Sequence, residues 1–77
     1  MSDSGSVVAP PPVVVWGPEP DDPPFRLVEV NGALVGKAHG IADVVTFILR
    51  AGLKDFDVED PMVVRWVNGG PYDWMPH

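Results

Sequence analysis

Phe25-Arg26-Leu27-Val28-Glu29-Val30-Asn31-Gly32-Ala33-Leu34-Val35-Gly36-Lys37-Ala38 is the stretch whose reading decides the fold. Asn31-Gly32 separates two short apolar runs. A two-residue type I′ turn needs positive φ at both central positions, and Asn followed by Gly supplies it at low steric cost. The stretch therefore reads as a β-hairpin over residues 25–38. Alternation puts Arg26, Val28 and Val30 on one face of its first strand and Phe25, Leu27 and Glu29 on the other. Gly36, inside the second strand, marks a bulge or a close approach by another group.

Downstream of the hairpin, His39-Gly40 leads into a helix from about Ile41 to Ala51. Gly52 is a C′ glycine, and Leu53 is placed for the apolar contact that follows such a stop. Asp43 in the first turn and Arg50 in the last complement the helix dipole. Helical spacing makes Ile41, Val44, Val45, Ile48 and Leu49 the core face. Phe47 projects beside the polar stripe of Asp43, Thr46 and Arg50. It needs cover from the N-terminal arm, the C-terminal tail or a partner.

Met62-Val63-Val64-Arg65-Trp66-Val67 carries two conflicting signals. Asp60-Pro61 is a good helix start, whereas the β-branched and aromatic composition favours a strand. A lone hairpin is marginal, and a third strand makes a sheet worth covering, so a strand is expected. Asn68-Gly69-Gly70-Pro71 then turns the chain into a short aromatic tail, Tyr72-Asp73-Trp74-Met75. The expected fold is α+β: a small antiparallel sheet, the hairpin plus a third strand, packed on one helix in the order ββαβ.

Upstream, the chain changes character near residue 24. Seven of the ten prolines lie in residues 1–24. Residues 1–24 read as a disordered Pro-rich acidic arm and residues 25–77 as a single small domain. Within the arm, residues 1–12 form the head and 17–24 an extended acidic linker. Val13-Val14-Val15-Trp16 is the exception. It folds back as an edge strand or core cover, or it is a motif that adds a strand to a partner's sheet.

Seventy-seven residues allow one domain. A core of that size supplies rarely more than about 3–5 kcal/mol, so such chains need a staple. Cysteine is absent and only His39 and His77 are present, which excludes disulfides and disfavours structural zinc. Eleven acids against five bases give a net charge of −6. That balance repels nucleic acid and anionic membranes and favours a basic partner. The N-terminus lacks the basic region of a signal peptide, and no apolar run reaches a membrane span. The expected location is the cytoplasm, and the Val-, Gly-, Pro- and Asp-rich composition suits a high-GC bacterium.

No pattern of catalytic residues emerges. Ser2, Ser4 and Ser6 lie in the head, Thr46 lies on the helix, and His39 occupies a turn. A nucleophile needs a neighbouring base, and none is placed to serve. Asp55, Asp57 and Glu59 imitate the start of a calcium loop. Asp60 then stands where glycine is needed, and Trp66 where glutamate is. No enzyme activity, cofactor or metal is expected.

The aromatic surplus remains. Trp16, Phe47, Trp66, Tyr72 and Trp74 are candidate partner-binding residues, because such rings bury much area at low entropic cost. The competing structural role makes Trp66 core, with Tyr72 and Trp74 clamping its edge. The acidic loop of Asp55, Asp57, Glu59 and Asp60 is a candidate steering surface for a basic partner. The expected function is a non-enzymatic protein interaction or regulatory module. The alternatives are a structural homodimer and an acidic phosphate mimic that inhibits a nucleic-acid-binding protein.

Overall fold

The computed structural model describes residues 10–76. The expectations for residues 1–9 and for His77 lie outside the described residues. The protein is α+β, with five elements among the described residues: β1 (Val13–Val15), β2 (Arg26–Val30), β3 (Ala33–Ala38), α1 (Ile41–Arg50) and β4 (Val64–Trp66). The strands form one mixed sheet in the order β3-β2-β1-β4. The ββαβ order expected from residue 25 onward is present, with one further strand ahead of it.

The hairpin forms as its turn chemistry requires. Asn31 and Gly32 adopt φ of 52° and 84°, and Val30 pairs with Ala33 across them. The ladder slips between Val28 and Glu29, where Gly36 pairs with Val28 and Leu34 with Glu29. A Cβ on Gly36 would lie 2.8 Å from the Phe47 ring. Both readings of Gly36 therefore hold: it sits at a bulge and it admits an aromatic ring.

That contact also sets the rotation of α1. Val44 and Ile48 are buried, and Phe47 packs against the core. Leu49, expected on the core face, is instead 54% exposed. The slot at Gly36 accepts the Phe47 ring and turns Leu49 outward. Among the described residues, Phe47 finds cover on β3 at Gly36. The helix stops as expected. Gly52 (φ 94°) donates to Leu49 O and Leu53 to Ile48 O, which satisfies two terminal carbonyls.

Val13–Val15 is the principal departure from expectation. It is an interior strand, not an edge strand or an external motif. It pairs antiparallel with β2, through Val13 with Val30 and Val15 with Val28. On its other side it pairs parallel with β4, through Val13 with Val64 and Val15 with Trp66. The sheet is therefore mixed rather than antiparallel. The ladder extends to Pro12, whose carbonyl accepts the Asn31 N–H at 2.7 Å. The segment expected as an extended linker connects β1 to β2 and is closed at its base by paired bonds between Glu19 and Phe25. The ordered fold thus begins well before residue 25. The physical reason is burial: Val13 and Val15 are fully buried beside Val28 and Val64.

The Asp60-Pro61 signal makes one turn before β4. The Asp60 carbonyl accepts from Val63 and Val64, and its Oδ1 accepts the Met62 N–H. Met62 consequently lies outside the strand and is exposed. The β3–α1–β4 crossover carries the chain over the helical face from one sheet edge to the other.

The buried face of the sheet holds one charge. Arg26, which shares that face with Val28 and Val30, is fully buried. A guanidinium has five N–H donors, and here all five find carbonyls. Nε donates to Trp16 O at 2.7 Å. Nη1 donates to Gly70 O and Asp73 O at 2.8 and 2.7 Å. Nη2 donates to Val67 O and Gly69 O, both at 2.9 Å. Its carbon lies 5.2 Å from the Trp66 ring centroid and 5.5 Å from that of Trp74. The two rings meet edge to face at 6.4 Å. Burial lowers the Arg26 pKa, and the charge of Asp73 opposes that shift. Arginine stays protonated at any ordinary pH.

Arg26→Lys removes the planar fork and leaves several buried carbonyls unpaired. The expected loss is about 3–5 kcal/mol, comparable to the whole stability of so small a core. Urea denaturation should find the variant largely unfolded at 25 °C. Gly36→Ala should destabilise by about 1–3 kcal/mol through its contact with Phe47. In a double-mutant cycle, Phe47→Leu should relieve part of that cost, whereas purely additive losses would refute the slot.

Candidate functional site

Strand alternation leaves the second sheet face to Val14, Leu27, Glu29, Leu34, Lys37 and Arg65. Among the described residues no helix or strand covers it, because α1 packs on the other side. At the end of this face, where β1 and β4 run out into loops, a groove of about 580 Å³ opens. Leu27 and Val67 contribute apolar surface, Trp16 forms a wall, and Glu19, Glu29 and Asn68 supply polar groups. No Lys, Arg or His lines it.

Each wall has a physical origin. Trp16 follows the buried Val15, so alternation turns its ring to the open face. Its indole N–H donates to Glu29 Oε2 at 2.9 Å, which fixes ring and carboxylate together. The loop after β1 and the loop after β4 approach closely at Gly17, where a Cβ would lie 3.1 Å from that of Asn68. Arg26 ties the same two loops from beneath, through Trp16 O and Val67 O. The groove thus sits on a hydrogen-bonded floor although its rim consists of loops.

The aromatic candidates separate into different settings. Trp66 and Trp74 are half-buried against Arg26, and their indole N–H groups donate to Val58 O and Pro71 O at 2.8 and 2.6 Å. Phe47 lies on the helical side of the sheet. Tyr72 is 72% exposed and donates its hydroxyl to Glu59 Oε2 at 2.5 Å. Trp16 alone of the five stands at the groove. The structure therefore does not bring these rings into one surface.

The acidic loop is built from local bonds. Asp57 accepts the Glu59 N–H, Asp60 accepts that of Met62, and Glu59 holds Tyr72. Asp55 adopts φ of 53° and is exposed. Among the described residues no three His, Cys, Asp or Glu side chains converge as a metal site. His39 donates its backbone N–H to Asp43 at 2.8 Å, a turn role at the start of α1. Among the described residues no helix is long and apolar enough to cross a membrane.

Two functional features escaped the sequence. Arg26 reads as one position in an alternating strand, and its burial was visible only as a cation in register with Val28 and Val30. Glu29 reads as a polar residue on the outer face, and its pairing with Trp16 depends on β1 lying beside β2. Comparison of the chain with known protein families, curated proteins and solved structures gave no match.

The hydrogen bond and charge of Glu59 raise the Tyr72 pKa above its ordinary 10.0. The bond favours the protonated phenol. Its contribution is therefore complete below the unfolded pKa and fades as pH rises through the folded one. Tyr72 is the sole tyrosine, so phenolate absorbance reports on it alone. The expected midpoint lies above 10.0 and falls back toward that value in Glu59→Gln.

Proposed function

We propose that this chain is a non-enzymatic interaction module that docks a basic protein partner on the open face of its sheet. The observation that carries this reading is the groove beside Trp16, which holds two carboxylates, an exposed indole and no basic residue. The charge of the whole chain supports it. The net charge is −6, and Arg26 is buried, which removes one of the few bases from the surface. The acids of the 55–60 loop add long-range attraction that raises the association rate of a basic partner. The bonds that tie Trp16 to Glu29 and the two loops to Arg26 favour affinity, because groups already held in place need less ordering on binding.

A second reading follows from β3. It is an edge strand whose Leu34 and Val35 are 62% and 40% exposed. An uncovered edge with apolar side chains can pair with another copy of itself. The bulge at Gly36 and the adjacent Lys37 work against such pairing, so we rank the homodimer second.

Calorimetry with a lysine- and arginine-rich peptide tests the first reading, with sedimentation of the same samples. Expected are a monomer at every concentration and binding that weakens steeply as salt rises. Trp16→Ala should lower affinity by about tenfold, the scale of a modest interface anchor. A protein that ignores the peptide, and whose dimer dissociates on dilution or in Leu34→Lys, would establish the homodimer instead.

A further inference from the structure

We infer that the Trp16 groove is a receptor for one arginine side chain of that basic partner, a conclusion that rests on the reading above. The chain's own Arg26 shows what a guanidinium requires here: indole faces at 5.2 and 5.5 Å and oxygen acceptors around its N–H groups. The groove offers both ingredients unfilled. Trp16 is 41% exposed, and among the described residues no cation stands over its ring, whereas Trp66 and Trp74 both face Arg26.

The acceptors are Glu29 and Glu19. Glu29 Oε2 takes the Trp16 indole N–H at 2.9 Å, and Oε1 has no protein donor among the described residues. Glu19 commits its backbone to Phe25 and leaves its side chain exposed at the rim. The indole–carboxylate bond holds an aromatic face and an anionic edge side by side. A planar guanidinium can stack on the first while its in-plane N–H groups reach the second. A compact ammonium satisfies these two demands less well, and it is more strongly hydrated. Leu27 and Val67 give the methylene stem an apolar surface to lie on. No cation of the groove's own lining competes for the carboxylates.

The test uses ¹⁵N-labelled full chain, whose three tryptophans give one indole N–H signal each. Trp16→Phe assigns the Trp16 signal. N-acetyl-arginine amide, N-acetyl-lysine amide and an arginine-rich peptide are titrated in turn. The arginine amide should shift the Trp16 indole saturably. The lysine amide should bind at least about threefold more weakly, the scale of an exposed cation–π contact. Glu29→Gln should abolish the response, while unmoved Trp66 and Trp74 signals show that the fold is intact. No saturable shift, an equal response to lysine, or an unaffected Glu29→Gln would overturn the inference. If the arginine-rich peptide still shifted the Trp16 signal while the arginine amide did not, or did so equally with lysine or in Glu29→Gln, the basic-partner reading would stand and the single-arginine assignment alone would fall. If the peptide did not bind either, both would fall.

Discussion

A single buried guanidinium holds this protein together. Moving a charge out of water costs several kcal/mol, and the cost is recovered only when every donor is satisfied. Arg26 meets that condition with five carbonyls and two indole faces. Those carbonyls belong to residues 16, 67, 69, 70 and 73, so one side chain joins the end of β1 to the whole C-terminal segment. Among the described residues no carboxylate touches the guanidinium. Backbone dipoles balance the charge, and Asp73 acts only from nearby. In a chain without cysteine, this network takes the place of a covalent staple. Residues 67–76 have no regular secondary structure, and Arg26 and the two indoles give them a defined path.

The same constraint organises the outer surface. The loops after β1 and β4 are drawn together beneath the sheet, and the space above them becomes the groove beside Trp16. Packing on the inner side and recognition on the outer side are therefore two consequences of one anchor. The aromatic residues divide accordingly. Trp66 and Trp74 are committed to the buried cation, Phe47 to the slot at Gly36, and Trp16 to the open face. An excess of rings in a small chain thus does not by itself indicate an interface. Partitioning them by what each ring already touches leaves two exposed rings, Tyr72, tied to Glu59 through its hydroxyl, and Trp16, which alone stands in the groove.

Electrostatics follow a similar division. The base that matters most to the fold is hidden, and the acids lie outside. Several acids hold local structure: Asp43 at the start of α1, Asp57 and Asp60 in the loop before β4, and Glu59 on Tyr72. Their charge remains in solvent while their oxygens organise the backbone, so a structural role and a steering role coexist in the same residues. Glu29 differs in kind. Its hydrogen bond fixes an aromatic ring instead of a turn, and this gives the groove its chemical character.

Local chemistry was enough to determine the hairpin turn, the α1 stop at Gly52 and Leu53, the bulge at Gly36 and the α+β class. Each depends on backbone preferences acting over a few residues, and Asn-Gly or a C′ glycine states such preferences directly. The turn at Asp60-Pro61 was also written locally, although it competed with the strand signal that followed it. Tertiary structure decided the rest. The place of Val13–Val15 inside the sheet, the parallel pairing with β4, the outward turn of Leu49 and the burial of Arg26 all depend on partners far along the chain. A proline-flanked valine run looks the same whether it ends at an edge or lies between two strands. An arginine in an alternating strand looks the same whether its five donors meet water or five carbonyls. Such choices follow from long-range burial and from the cost of an unsatisfied polar group, and neither is written in any short stretch of residues.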